Sequence, residues 1–349
     1  MDPEAERGIK MNFTENLNTI IQRKDLTKES MSSMMSDIFS GSITDAQTGA
    51  FMAALATKGE TFEELAGAAL TMRRKAAKIQ TVSKIVVDTC GTGGDSSGTF
   101  NVSTTTALAV AGCGITIAKH GNRSISSKCG SADVLEKLGV KIDTDPEIVE
   151  EAVNEIGLGF LFAPKFHSAM RYAAKARKEV GIRSIFNMLG PLTNPAATRY
   201  QLLGVFAPQL TEMFARALKL LGAERAFVVH GHDGMDEITV CAPTRISELN
   251  GGMIKTYDID PVDFFDEYAD PESLKGGDAD LNARITRSIL KGEKGPKRDI
   301  VLINTAAALV AAGAAENLKT GIKQAEQSLD SGKAMKKLEE LVEFTQENG

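Results

Sequence analysis

Five short runs rich in β-branched and apolar residues constrain this chain more than any other feature: IVVD at 85–88, ITIAK at 115–119, LLGVF at 202–206, AFVVH at 226–230 and DIVLI at 299–303. Strands that are apolar on both faces and separated by helical stretches belong in a parallel sheet covered on both sides. Before residue 84 the pattern is helical only. Phe13, Leu17, Ile20 and Ile21 recur at helical spacing, as do Met31, Met34, Met35 and Ile38. Thr44 opens a small-residue helix that Gly59 ends, and Thr61 with Glu64 makes a capping box ahead of a helix read through Ile79. The expected fold class is α/β, with a small all-helical N-terminal domain at 1–80 and a larger domain at 81–349 whose mostly parallel central sheet is flanked by helices. The stretch FHSAMRYAAKARKEVG, followed by IRSIFNMLG, reads as a return segment of the helical domain at about 164–195, and 257–298 as irregular surface.

Composition excludes several classes. A chain of 349 residues with 42% hydrophobic and 25% charged residues is an ordinary globular composition. Its net charge of −6 argues against nucleic acid or anionic membrane held by bulk electrostatics, so any phosphate site must be local. The longest mostly apolar run, 107–118, is broken by glycine and falls short of the roughly 20 residues that span a bilayer. Cys90, Cys113, Cys129 and Cys241 form no C-x-x-C pair and read as reduced thiols. The leading MDPEAERGIK is acidic and has no apolar stretch, so it is no signal peptide, and a cytoplasmic location is expected.

Three segments carry chemistry. In VVDTCGTGGDSSGTFNVSTTTALAVAG a strand runs into Gly91-Thr92-Gly93-Gly94-Asp95, and a helix begins near Asn101 and Ser103. Glycines let backbone amides approach an anion, and the helix start adds N–H donors and the positive end of a dipole. A dinucleotide fingerprint would need glycine at Ser96 and a Walker A loop would need Gly-Lys-Ser/Thr, so the loop is a phosphate cradle of another kind or a tight turn whose glycines serve backbone geometry alone. In KHGNRSISSKCGSADVLEKLG the cations Lys119, Arg123 and Lys128 stand among Asn122, Ser124, Ser126, Ser127 and Ser131, donors enough for several phosphate oxygens. Both loops leave the carboxyl ends of strands, the edge where open α/β sheets bind ligands. In HGHDGMDEIT, Asp236 and Glu237 are adjacent beside a glycine turn, as a magnesium platform completed by substrate phosphates requires; a solvated turn would carry the same dipeptide. His230 and His232 lack partners spaced for zinc.

A doubly phosphorylated, magnesium-bound ribose such as phosphoribosyl pyrophosphate (PRPP) suits the three segments together. The blocks GTGGD, NVST, KHGNRSISSKCGSADVLEKLG, VGIRSIFNMLGPLTNPA and HGHDGMDE, in this order, resemble those of the anthranilate phosphoribosyltransferase family of tryptophan biosynthesis, from about residue 13 to the C-terminus. That resemblance implies the nucleoside phosphorylase/phosphoribosyltransferase type of fold, a homodimer joined through the helical domains, and Mg2+. It implies that Gly91, Gly94, Asp95, Thr99, Asn101, Val102, Ser103, Thr104, Lys119, His120, Gly121, Asn122, Arg123, Ser124, Ser126, Ser127 and Ser131 hold PRPP. Gly91, Asn122 and Arg177 would meet anthranilate, and Ser103, Asp236 and Glu237 the magnesium. Cys129, where the family favours a small residue of varying type, is a minor departure.

The nucleophile of such a reaction, an aromatic amine, is already neutral at pH 7 and needs no strong base; His120 is the nearest candidate for taking its proton. A pyrimidine nucleoside phosphorylase has the same overall architecture by resemblance but little use for Asp236 and Glu237, and against a related transferase that keeps the PRPP motifs with another acceptor, Arg177 and Asn122 argue for anthranilate.

Overall fold

The computed structural model describes residues 12–95, 97–124 and 129–349. The chain divides into two compact units, one running to Ala76 and taking up His167–Thr193, the other made of Ala77–Phe166 and Asn194–Gly349. The helical unit opens with α1 (Phe13–Ile21), α2 (Lys28–Ser40), α3 (Asp45–Lys58) and α4 (Phe62–Lys75). Asn12, Thr27, Thr44 and Thr61 each accept an N–H of the first turn that follows, satisfying one of its orphan donors. Met31, Met34, Met35, Phe51 and Leu55 fill the core of this unit. The capping box at Thr61 and Glu64 forms as the sequence predicts, but α4 ends at Lys75 rather than at Ile79. Glu64 does more than cap: fully buried, it also accepts the Leu26 N–H at 2.9 Å and pairs with the Lys58 ammonium at 3.0 Å.

The α/β unit begins with β1 (Val86–Gly91), α5 (Val102–Gly112), β2 (Thr116–Gly121), α6 (Ser131–Leu138), α7 (Pro146–Glu155), β3 (Leu158–Phe162) and the single turn α8 (Ala163–Phe166). The chain then returns to the helical unit for α9 (Arg171–Val180), flanked by 3-10 turns. Back in the α/β unit follow β4 (Tyr200–Gly204), α10 (Leu210–Leu220), β5 (Arg225–Gly231), β6 (Thr244–Asn250), β7 (Met253–Ile259), α11 (Ala279–Leu290), α12 (Pro296–Ala311), α13 (Leu318–Asp330) and α14 (Lys333–Asn348). The strand order is β3-β2-β1-β4-β5-β6-β7, with the first five parallel and the last two antiparallel. From β1 the chain fills the sheet outward through β2 and β3, then crosses back to β4 and β5. The carboxyl ends of β1 and β4, where Gly91 lies opposite Gly204, are therefore the topological switch point.

Two expectations need correction. DIVLI at 299–303 is the heart of helix α12, and the fifth parallel strand is LGFLF at 158–162. The β-branched residues mislead because α12 is buried on nearly all sides, so it shows no polar face, while Pro296 at its first turn and the unbroken run NTAAALVA after it favour helix. The stretch 257–298 is not irregular throughout, since it holds the end of β7 and all of α11. The antiparallel pair β6 and β7 escaped the sequence reading; β7 is an edge strand with exposed positions on both faces and no apolar run.

Asn304 of α12 is fully buried; its Oδ1 accepts the Ile238 N–H at 3.0 Å, and its Nδ2 donates to the carbonyls of Ile238 and Ile300, both at 2.8 Å. Asn304→Ala strands these groups, so it should lower stability by about 1–3 kcal/mol in denaturant unfolding monitored by circular dichroism. A loss of less than 0.5 kcal/mol would contradict this role, since that is roughly the scatter of surface substitutions.

Candidate functional site

The loop leaving β1 is held down by the turn that follows β5. Asp236 Oδ2 accepts the Gly93 N–H at 2.9 Å, Thr92 N–H donates to the Gly204 carbonyl at 2.9 Å, and Phe206 N–H donates to the Thr92 hydroxyl at 3.1 Å. The closeness depends on missing side chains. A Cβ at Gly91 would run into the Asp236 carboxylate, and one at Gly204 into the Asp236 carbonyl. Gly93 and Gly94 take φ of 64° and 77°, the left-handed region that residues with a Cβ avoid.

Helix α5 starts at the same edge. Asn101 caps it by accepting Thr104 N–H at 3.0 Å, and the Ser103 N–H serves the Glu237 carboxylate. The buried Lys119 ammonium, at the end of β2, donates to the Ser103 hydroxyl at 3.2 Å and to the Thr89 carbonyl. Burial pulls its pKa down, with Asp88 opposing. Asp88, fully buried in β1 and pushed up by desolvation, accepts from His120 N–H at 3.2 Å and from Asn194 Nδ2 at 2.8 Å, and Asn194 Nδ2 also donates to the Ala118 carbonyl at 2.8 Å. One buried network thus fixes the ends of β1 and β2.

Asp236 and Glu237 are half-buried rather than the solvated pair that the dipeptide alone allowed. Burial, then the charge of Asp95, raises the Asp236 pKa to about 7, against the pull of the Gly93 N–H. Glu237 is raised well above the usual range by burial and then by Asp236, with Lys119 opposing. Three carboxyl groups therefore crowd the switch point at a cost that a cation would relieve. Among the described residues no three Asp, Glu, His or Cys side chains close on one metal position. The donor set fits magnesium, which takes one or two carboxylates and leaves its other positions to phosphate oxygens and water. His230 stands apart, its Nδ1 2.7 Å from the Val205 carbonyl.

The second loop is organised around Asp133, which the sequence reading did not single out. Burial alone would raise its pKa, but the N–H groups of Gly130 at 2.8 Å and Ser124 at 3.2 Å, together with Arg123, hold it below the ordinary carboxylate range. The Arg123 guanidinium is engaged by Asp133 at 3.0 Å and Glu136 at 2.9 Å. Asn122 carbonyl accepts from the Ser131 hydroxyl at 3.3 Å. Ser126, Ser127 and Lys128 lie outside the described residues. Val102 and Thr104 are buried, and Thr104 lines a small interior void together with Leu135, Leu158 and Phe160.

In the helical unit, Arg177 on α9 is half-buried, with its guanidinium 5.5 Å from the centre of the Phe186 ring. Burial lowers its pKa, and no carboxylate faces it among the described residues. Lys175, two residues back on the same helix and at the surface, is instead paired with Asp45 at 2.9 Å.

Comparison with known proteins gives this arrangement a class. The helical bundle domain of a glycosyl transferase family matches residues 14–76, and the a/b domain of a glycosyl transferase family matches residues 83–335. The chain is 69% identical over 338 residues to the anthranilate phosphoribosyltransferase of Desulfosudis oleivorans, covering 97% of this chain and all of that one. It is 67% identical to that of Syntrophobacter fumaroxidans, over 95% of this chain and 98% of the other. The crystal structure of the Thermus thermophilus enzyme superimposes with a TM-score of 0.90 at 41% identity, over 95% of this chain and 99% of that one. A Saccharomyces cerevisiae anthranilate phosphoribosyltransferase in complex with PRPP and Mg gives a TM-score of 0.86 at 28% identity, over 95% and 98% of the two chains. The chain belongs to the anthranilate phosphoribosyltransferase family.

A raised carboxyl pKa has a consequence for stability. Because the folded chain holds the Asp236 proton more tightly than an unfolded one, this contribution is complete below about pH 4 and is lost as pH rises through about 7. In metal-free protein, Asp236→Asn should therefore raise the melting temperature at pH 8 by about 2–4 °C, roughly 1 kcal/mol, and change it little at pH 5. Calorimetric scans at both pH values check this, and an equal effect at each would contradict it.

Proposed function

We propose that the chain transfers the phosphoribosyl group of PRPP to the amine of anthranilate, giving N-(5-phosphoribosyl)anthranilate and pyrophosphate, the second step of tryptophan biosynthesis. The observation that carries this reading is that Asp236 accepts Gly93 N–H while Glu237 accepts Ser103 N–H, which sets two carboxylates against a glycine loop and a helix start at the sheet's switch point. PRPP would lie along Gly91, Gly94, Asp95, Thr99 and Asn101–Thr104, and along Lys119–Ser124 with Ser131. Binding of its remote 5′-phosphate fixes the ribose for substitution at the anomeric carbon. Magnesium on Asp236, Glu237 and Ser103 would offset the negative charge that grows on the departing pyrophosphate. Loop amides and the Lys119 ammonium hold the phosphate oxygens in place. The amine of anthranilate is neutral at pH 7, so the proton it loses needs only a weak acceptor; His120 is buried in β2.

Arg177, partly desolvated and facing no carboxylate among the described residues, suits the ortho carboxylate that distinguishes anthranilate from aniline, with Gly91 and Asn122 as the acceptor's contacts in the α/β unit. We assign a homodimer through the helical unit, where Ile21 and Ile182 are 60% and 46% exposed. A cytoplasmic location agrees with four free cysteines. No helix among the described residues is long and apolar enough to cross a membrane.

The direct test follows the loss of anthranilate fluorescence with PRPP and magnesium. Turnover should require all three, and constant fluorescence with all three present would overturn the reading. The Asp236→Ala, Glu237→Ala double variant should fold and lose at least about a hundredfold in turnover. Near-normal turnover with unaltered magnesium dependence would remove the metal assignment. Arg177→Ala should weaken use of anthranilate by about 10- to 150-fold through loss of a charge-assisted hydrogen bond, with a much smaller change for PRPP. Steady-state kinetics with each substrate varied in turn checks this, and an equal loss for both substrates would contradict it.

A further inference from the structure

The front of the glycine loop is tied to Asp236, but its exit, residues 97–101, is tied to a segment that none of the motifs includes. Residues 274–278 lie antiparallel to it. Thr99 and Lys275 form an isolated bridge, the Phe100 N–H donates to the Leu274 carbonyl at 3.1 Å, and the Gly276 N–H donates to the Gly98 carbonyl at 3.1 Å. The Lys275 ammonium reaches over the loop to the Ser97 carbonyl at 3.1 Å. Immediately downstream, the buried Asn282 of α11 accepts the Asn101 N–H at 2.7 Å and donates to the Gly277 and Asp278 carbonyls at 3.0 and 2.9 Å. One side chain thus joins the strap to the residue that caps α5. There is no slack between the two segments, because a Cβ at Gly276 would sit 2.5 Å from the Phe100 Cα and 2.7 Å from its nitrogen.

We propose that the segment 274–278 is a positioning strap for the phosphate cradle, and that Lys275 is a positioning residue for PRPP binding that acts by fixing the Ser97 carbonyl while the Gly276 N–H fixes that of Gly98. Resting on the PRPP reading above, it adds a control point outside the motifs that define the site. The strap turns the loop's carbonyls toward itself. Pinned at the Ser97 and Gly98 carbonyls and at the Phe100 and Asn101 N–H groups, the loop's exit delivers Asn101 to the start of α5, where the proposed phosphate site begins. Lys275 contributes without belonging to any core, since its side chain is 45% exposed. A purely structural role would therefore affect melting or nothing, whereas a positioning role affects PRPP affinity selectively.

The test titrates PRPP into the full chain with magnesium present, by calorimetry, alongside steady-state kinetics and melting curves. Lys275→Met should weaken PRPP binding by about 3- to 10-fold while leaving KM for anthranilate unchanged and the melting temperature within about 1 °C. Lys275→Arg, which keeps a donor for the Ser97 carbonyl, should restore affinity to within about twofold. Gly276→Ala should weaken PRPP binding by more than about tenfold by lifting the strap off Phe100; if this variant fails to fold, Lys275→Met and its arginine partner decide the matter. Wild-type affinity for PRPP in Lys275→Met would overturn the proposal, whether or not its melting temperature falls. Failure of the unaltered chain to bind PRPP would instead overturn the reading of the cradle itself.

Discussion

The Asp236 carboxylate that accepts the Gly93 N–H organises this molecule's chemical edge. It ties the loop after β1 to the turn after β5, across β4, and it does so at the place where the order of the parallel strands reverses. A doubly wound sheet opens a crevice there by topology alone. Whether that crevice holds a phosphate depends on how closely the loops can approach one another, and Gly91 and Gly204 decide it by leaving room for Asp236. The same residue that clamps the loop is also one of the carboxylates proposed to hold the metal. Loop position and the proposed metal position are thus set by one side chain.

That economy has an electrostatic cost. Asp236 and Glu237 are withdrawn from water, Asp95 adds its charge, and Lys119 opposes the shift of Glu237. Lys119 in turn is kept in place by Ser103 and the Thr89 carbonyl, above an Asp88 that is anchored through Asn194. The result is a site that holds its carboxyl groups close together, an arrangement that suits the electrostatic catalysis proposed above. The structural support for it lies in side chains that need not touch substrate, including Asp88, Asn194, Asn304 and, by our inference, Lys275.

Much of this could be seen in the residues. The parallel strands after residue 84 showed themselves as buried apolar runs, and the glycine loop, the cationic loop and the Asp236-Glu237 pair were legible because each is a short contiguous motif with its own chemistry. DIVLI at 299–303 was misread because burial on nearly all sides of α12 erases the helical period on which such reading depends. LGFLF at 158–162 lacks β-branched residues, and β7 carries exposed side chains on both faces, so neither announced itself as a strand. Contacts between distant segments left no local signal at all. Asp133 gathering the amides of its own loop, Asn194 reaching Asp88 across 106 residues, and the strap at 274–278 crossing the loop exit exist only through the fold.

The central claim is that the crowded carboxyl groups at the switch point are discharged by a magnesium-bound phosphorylated ligand. Calorimetric titration of PRPP with magnesium at pH 6.5, repeated in buffers of different ionisation enthalpy, counts the protons exchanged on binding. With Asp236 raised to about 7 and Glu237 also raised by burial, binding at this pH should release most of a proton per site, and the release should fall sharply in Asp236→Asn. Binding without proton release, or with the same release in the variant, would contradict the account.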